Sequence, residues 1–502
     1  MDLALITCPV YRNSENHPDR VAIRSGKLSP TYAELEKLIQ GFAGKLKTAG
    51  MKMGDRIGVI ADNSVGYAAL IFAAYRTGVT LVPINTRLNP DGWIDCIKRS
   101  GCKLLFADAD RSAFARSSGH DFIVLDSDES LQIRETTIGE DSSVDKEILL
   151  DREASIVFTS GSGGTAKGAI LTYGNHYHNA TASNENIQLK HDDCWLAVLP
   201  FYHVGGMSIL FRAAIAGCSV YVMSCFDTGR ISRLIDDGTI THMSLVPTML
   251  GALLAAREMK TPPETLRAIL LGGGPLFGSM FDDIENLPLP VLTTYGMTET
   301  ASQLCTLSPD DSADKLRSSG KPLGNVEVRI VDTEGQQASV NRDGEIVVRG
   351  KTLFTGYLGE DAEAAFDPDG WFRTGDIGCL DEDGYLHVKG RVDSMFVSGG
   401  ENIYTSDIER AVLQFPGVSE CAVIAVDDVK WGKRPVLFLT IAGDSEMDAS
   451  ELRSFLEDHL PRIQQPDRII EIDQFPRKSI DKIDREKLKE MFLKDSDNQG
   501  DS

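Results

Sequence analysis

Residues 159–168, Thr-Ser-Gly-Ser-Gly-Gly-Thr-Ala-Lys-Gly, gather glycines, hydroxyls and a single lysine into one short stretch. Little side chain is left there to pack. What remains is exposed backbone N–H, small donors and one cation, the chemistry that cradles a polyphosphate: glycine lets the backbone approach and successive N–H groups form an anion-binding nest. The NTPase loop G-x-x-x-x-G-K-[ST] does not fit, because Ala166 precedes Lys167 and Gly168 follows it. The dinucleotide fingerprint matches at Gly161, Gly163 and Ala166 but lacks its helix, since Ala169–Thr172 continues as apolar extended chain. Taken alone, these ten residues are better read as a flexible Gly/Ser hairpin tip.

Other residues capable of chemistry follow at the ends of apolar runs. His203 lies between the run Trp195–Pro200 and Gly205-Gly206, the mouth of a sheet, although a lone histidine is more often a satisfied packing residue. Arg212 interrupts the apolar stretch 207–216. It is either a surface arginine with a buried stem or a guanidinium held in an apolar wall for two-pronged carboxylate binding. Leu270-Leu271-Gly272-Gly273-Gly274-Pro275 is a strand ending in glycines, against which a flat ligand could lie. Tyr295-Gly296-Met297-Thr298-Glu299-Thr300 offers an aromatic face, a hydroxyl and a carboxylate, as adenine and a Mg²⁺-bound phosphate require.

These groups need elements to hold them. Thr31 with Glu34 forms a capping box ahead of Leu35, Leu38, Ile39, Phe42 and Leu46, and Gly50 ends that helix. Strands at Ile57–Ala61, Val79–Ile84 and Lys103–Ala107 alternate with helices at Val65–Arg76 and Trp93–Arg99, the rhythm of a largely parallel sheet covered by helices. Such sheets bind ligands at the carboxyl ends of their strands. At 502 residues two or more domains are expected. Residues 108–150 are acidic and weakly patterned. The formal charge of −23 argues against nucleic acid or an anionic membrane as partner. No apolar run spans a bilayer, Met1–Pro9 is too short and acidic for a signal peptide, and the nine cysteines form no C-x-x-C pair, so a reduced, cytoplasmic setting is expected. A homo-oligomer stays compatible with the sequence.

TSGSGGTAKG, YGMTE, GWFRTGD (370–376), GRVD (390–393) and SGGENIY (398–404) occur in the order found in the adenylate-forming superfamily of acyl- and aryl-CoA ligases, luciferases and peptide-synthetase adenylation domains, which this chain resembles along nearly its whole length. The resemblance implies an α/β N-terminal domain with covered, largely parallel sheets (1–390), a hinge at 391–393 centred on Asp393, and a small α+β lid (394–494). The polar tail 495–502 is expected to be disordered. It further implies ATP, Mg²⁺ and coenzyme A. Thr159, Ser160, Gly161, Ser162, Gly163, Gly164, Thr165 and Lys167 would hold the phosphates, with Ala166 replacing a proline usual in the family. Gly273, Gly274, Pro275, Tyr295, Gly296, Met297 and Thr298 would line the nucleotide, with Tyr295 on adenine and Glu299 on Mg²⁺. Asp376 would take the ribose hydroxyls and Arg391 the ribose or phosphate. Lys482 stands at the catalytic lysine, with Asp481 where glycine is common. The implied reaction has two stages: a carboxylate attacks the α-phosphate to give an acyl-adenylate and pyrophosphate, then the lid turns, withdraws Lys482 and brings Ser398, Gly399 and Gly400 to a pantetheine channel for CoA attack.

The segment Phe201-Tyr202-His203 lacks the aspartate that amino-acid-activating members place nearby. YGNHYHNA, LPFYHVGGMSILF, PTMLGALL, LLGGGP and YGMTETASQLCTLSP are most similar to the o-succinylbenzoate–CoA ligases of menaquinone biosynthesis. That resemblance implies a substrate with a second carboxylate, met by Arg212 and shaped by His203. Another aryl- or acyl-CoA ligase, or a non-catalytic nucleotide-binding protein, are the alternatives; retention of Lys482, Glu299 and Asp376 speaks against the last.

Overall fold

A computed structural model describes residues 4–26, 28–125, 128, 145–159, 166–274, 278–324, 326–441, 448–477 and 483–499. Among these residues, two large sheets carry most of the chain. In one, strands Thr80–Pro83, Arg56–Ile60, Leu104–Ala107 and Asp121–Val124 run parallel, and the antiparallel pair Glu153–Thr159/Lys167–Thr172 is added at the side of Thr80–Pro83. In the other, Ile23–Arg24, Ser219–Val222, Cys194–Ala197, His242–Leu245, Ala268–Leu271 and Val291–Met297 are parallel in that spatial order, and Ser302–Thr306 returns antiparallel. The largest apolar cluster draws on both sheets and on the helices between them, so these helices are apolar on nearly every side. Val65–Thr77 is the extreme case: every residue from Val65 to Arg76 is buried, and Arg76 meets Glu36 at 2.6 Å.

Local signals explain the helix ends. Thr31 and Glu34 cap each other reciprocally, as do Thr172 and Asn175 at the start of Tyr173–Ile187. Gly217 closes helix Val204–Ala216 in the left-handed conformation, at φ +72°. The strand expected over Trp195–Pro200 stops at Ala197. Beyond it the Asn63 side chain replaces a neighbouring strand: its amide donates to the carbonyl of Leu199 at 2.9 Å, and its oxygen accepts from the Phe201 N–H at 2.8 Å. Residues 108–150, left unassigned above, contribute a helix at Ser112–Ser117 and strands at Asp121–Val124 and Glu147–Leu149.

A third sheet joins Val326–Val331, Gly344–Gly350, Phe372–Leu380 and Leu386–Arg391, all antiparallel. After the turn Val392–Ser394, strands Val418–Asp428, Gly432–Ile441 and Arg468–Glu471 make a small sheet whose alternation is strict. Cys421, Val423, Leu437 and Leu439 face helices Thr405–Val412 and Ala449–His459, while Ala422, Ile424, Val436 and Phe438 face Phe475 and Leu488. This region thus has apolar clusters of its own on both faces. The last helix runs from Arg485 to Gln499, past the Leu493 that ends its apolar pattern. Residues 495–499, expected to be disordered, are helical backbone; uninterrupted residues without glycine or proline carry the helix on. No helix among the described residues is long and apolar enough to cross a membrane.

Candidate active site

The glycine-rich stretch joins two antiparallel strands, with Thr159 opposite Lys167 in register. The strands on either side of the stretch are thus those of a hairpin. Residues 160–165 lie outside the described residues, as do Pro275, Asp481 and Lys482. At the loop's exit, Arg99 donates to the carbonyl of Ala166 at 2.6 Å and lies over the Phe158 ring, tying the backbone that a proline would have stiffened. The Lys167 ammonium is 3.0 Å from Glu360 and 4.6 Å from the centroid of Tyr357. The Tyr357 hydroxyl donates to Glu299 at 2.8 Å.

Glu299 sits in the one-turn segment Thr298–Thr300 that follows strand Val291–Met297. Two things hold that turn. The Thr300 hydroxyl accepts from the Met297 N–H at 3.1 Å. Gly296 lets the returning strand close in, since a Cβ there would stand 1.8 Å from the Ser302 carbonyl oxygen. The chain then passes through Ala301 and Ser302 at φ +57° and +133°, unusual for residues with side chains. Met297 and Thr298 are half-buried beside Glu299. Gly273 and Gly274 are exposed at the end of Ala268–Leu271, Gly273 at φ +82°.

Asp376 is brought to the same end. It faces Arg391 across the antiparallel pair Phe372–Leu380/Leu386–Arg391. One carboxylate oxygen accepts from the Tyr295 hydroxyl at 2.5 Å and the other from Arg391 Nη1 at 3.3 Å. Arg391 also donates to the Thr374 carbonyl at 2.8 Å and to Asp393 at 3.4 Å. Gly375 leaves room for this guanidinium, which would be 2.8 Å from an added Cβ. Burial raises the Asp376 carboxyl, against the opposing pull of Tyr295 and Arg391. Burial, then the neighbouring carboxylate, holds the Tyr295 phenol well above its ordinary range, so it remains a donor.

Arg212 is not the surface arginine of the first reading. It is completely buried, 5.3 Å above the Trp195 ring, and donates from Nη2 to Ser302 Oγ at 3.2 Å. Ser208, one turn earlier on the same helix face, donates to the same oxygen at 3.3 Å. Arg212 Nε and Nη1 have no hydrogen-bond partner among the described residues. Burial lowers its pKa to about 9. A guanidinium is therefore held out of water with Nε and Nη1 unpaired. His203 begins that helix as an exposed residue, its ring 4.7 Å from Tyr202. It stands about 13 Å of helix rise from Arg212, so the two cannot touch and a ligand would have to reach both.

In the C-terminal region, Gly399 and Gly400 form the turn of the hairpin Met395–Ser398/Glu401–Tyr404, at φ +57° and +89°. The Gly399 N–H donates to the Trp431 carbonyl at 2.9 Å, and an added Cβ would be 2.7 Å from the Trp431 ring. Ser398 is buried. The sequence had pointed to Glu299, Lys167, Tyr295, Asp376, Arg391 and Arg212 but not to Tyr357, Glu360, Arg99, Ser208 or Ser302. The phrase Phe354-Thr355-Gly356-Tyr357, a glycine between large residues, was the available signal for Tyr357.

Parallel sheets ending in a glycine-rich hairpin, with a carboxylate-bearing turn and a Tyr–Asp–Arg cluster beside it, define an α/β nucleotide-handling enzyme. The chain belongs to the AMP-binding enzyme family, which matches residues 10–358, with the AMP-binding enzyme C-terminal domain matching residues 407–482. It is 37% identical over 483 residues to a 2-succinylbenzoate–CoA ligase of Geobacillus sp. (strain WCH70), covering 95% of each chain. The o-succinylbenzoate CoA synthetase of Bacillus subtilis in complex with its acyl-adenylate intermediate superposes with a TM-score of 0.89 at 32% identity, over 97% of this chain and 99% of that one. The same enzyme with ATP and magnesium gives 0.87 at 31% identity, over 97% of this chain and 100% of that one.

Proposed function

We propose that this chain is an ATP-dependent 2-succinylbenzoate–CoA ligase of menaquinone biosynthesis, acting in the cytoplasm. The observation that carries the substrate is Arg212, a buried guanidinium with two N–H directions open, in a chain similar over its length to ligases of that substrate. In this reading Arg212, with Ser208 and Ser302, receives the carboxylate that does not react, and His203 stands at the pocket mouth. Residues 159–165 and Lys167 receive the phosphates. Gly273, Gly274, Pro275, Tyr295, Gly296, Met297 and Thr298 border the nucleotide, and Asp376 and Arg391 the ribose.

The residues at Glu299 fit a hard, oxygen-seeking cation: a half-buried carboxylate oriented by Tyr357, whose ring also meets Lys167. Mg²⁺ held there would neutralise phosphate charge. What the chain itself supplies is positioning and cationic stabilisation. Lys167 and Lys482 oppose charge on the phosphoryl oxygens, and removing one well-aimed donor of this kind costs about 10²–10³ in rate. Asp393 is the hinge between 1–390 and a mobile lid from 394, so that Lys482 serves adenylation and Ser398, Gly399 and Gly400 serve CoA attack in turn. The test is pyrophosphate release from MgATP with o-succinylbenzoate, benzoate, a medium-chain fatty acid and two amino acids, with and without CoA. Turnover of o-succinylbenzoate alone, lost in Lys482→Ala, supports the reading; turnover of benzoate or the fatty acid instead leaves a CoA ligase of another carboxylate.

A further inference from the structure

Segment 354–360 bridges the strand that leaves the glycine-rich stretch and the Glu299 turn. Its Phe354 N–H donates to the Glu299 carbonyl at 2.8 Å, its Thr355 N–H to Ile170 at 2.9 Å, and its Leu358 N–H to Gly168 at 2.7 Å. Gly356 and Tyr357 pair antiparallel with Ile170 and Ala169, on the strand that leaves the glycine-rich loop. Gly356 has φ +144°, a backbone conformation that side chains rarely adopt, and this lets Tyr357 turn in beneath Lys167. The buried Phe354 ring stands edge-on to Tyr357 at 4.8 Å and is itself wedged by Phe372 at 5.1 Å, which fixes the tyrosine plane. One backbone segment is thereby bonded to both the loop's exit strand and the Glu299 turn.

Tyr357 uses its two ends differently. The hydroxyl donates to Glu299 Oε1 at 2.8 Å, while the ring face lies 4.6 Å from the Lys167 ammonium. A carboxylate accepts at about four lone-pair positions, so one donated hydrogen bond orients Glu299 and leaves acceptor capacity for a cation. We propose that Tyr357 is a positioning residue for adenylation, holding the Glu299 carboxylate and the Lys167 ammonium in fixed relation so that metal and phosphate are received together. The inference rests on the reading of Glu299 as the cation ligand and Lys167 as a phosphate ligand.

The test is a Mg²⁺ titration of pyrophosphate release at fixed ATP and o-succinylbenzoate. Tyr357→Phe keeps the ring and removes the hydroxyl. The Mg²⁺ concentration for half-maximal rate should rise about 10–100-fold, the worth of one hydrogen bond to a charged group. The KM for the carboxylate should stay unchanged and kcat should recover at saturating Mg²⁺, a split that general loosening of the fold would not give. Tyr357→Leu should in addition raise the KM for ATP by about three- to fivefold at saturating Mg²⁺, through loss of the cation–ring contact. A Tyr357→Phe enzyme that titrates like wild type, or needs less Mg²⁺, overturns the inference while leaving the ligase assignment intact. A wild-type protein that releases no pyrophosphate at any Mg²⁺ concentration overturns both.

Discussion

The Arg212 pocket and the Lys167–Asp376 side of the site handle charge in opposite ways. Arg212 is fully buried and left with open N–H directions, whereas Lys167, Arg391, Asp376 and Glu299 are partly exposed and already paired with protein groups. Burying an uncompensated charge is costly, so a pocket that does so is built around its missing partner. Half-exposed pairs cost little to form or to break. The first arrangement suits selection of one substrate, and the second suits groups that must exchange partners as phosphates arrive and leave. On the proposed reading, specificity and turnover fall to different physical environments within one site.

The largest expected effect tests the buried side. Arg212→Met should lower kcat/KM for o-succinylbenzoate by about 10²–10³-fold, since truncating one member of a buried charge pair costs about 2–5 kcal/mol. The ligand-free protein should melt at the same temperature or higher, because an uncompensated charge has been replaced by an apolar side chain. Falling activity with rising stability is the signature of a ligand-completed group; a fall in both would make Arg212 structural. On the other side, Asp376→Asn should raise the KM for ATP by about 10–100-fold, the range of a lost hydrogen bond to a charged group. Tyr295→Phe should raise it by only about two- to tenfold, since it removes one neutral donor. Equal effects would mean that the tyrosine hydroxyl and the carboxylate act as one unit.

That contrast also explains what the sequence could convey. The helix–strand rhythm, the capping box at Thr31–Glu34 and the strand-end motifs are local patterns, and the parallel sheets follow from them. Glu299, Asp376 and Lys167 are legible because each sits in a short motif of adjacent residues. Arg212 was legible as a residue but not as an environment, since its burial depends on Trp195 and Ser302, from two other strands. Tyr357 and Glu360 were not read at all. Their role arises from strand pairing with Ala169 across a long sequence separation, and an aromatic after a glycine is common in any chain. Asn63 went unread for the same reason, because a side chain standing in for a strand leaves no periodicity.

Acid should separate the two sides further. His176 is buried against Phe211, with a centroid separation of 4.9 Å, and hydrogen-bonds Ser155 at 2.8 Å; burial lowers its pKa to about 3. Its folded value lies below the ordinary 6.5, so its contribution to stability is full above pH 6.5 and is lost as pH falls toward about 3. The slope is about 1.4 kcal/mol per pH unit within that window. Chemical denaturation at pH 5.5 and 4.5 should show the loss, and His176→Phe, which keeps the stack on Phe211, should flatten it by about that amount whatever it does to absolute stability. An unchanged slope would mean that His176 is already charged in the fold.

The smallest effect is the most telling for partner exchange. Lys167 and Glu360 are 45% and 46% exposed, so their pair adds little to stability, and Glu360→Gln should leave the melting temperature where it was. The kinetic consequence has a definite sign. Glu360 competes with phosphate for the Lys167 ammonium, so removing its charge should lower the KM for ATP, by at most about fivefold at low ionic strength. Added salt screens the competing pair in the wild type, so the two enzymes should converge as the Debye length shrinks to about 3 Å near 1 M salt. A raised KM would show instead that Glu360 holds Lys167 in its working position, and the phosphate side of the site would then be as pre-built as the pocket around Arg212.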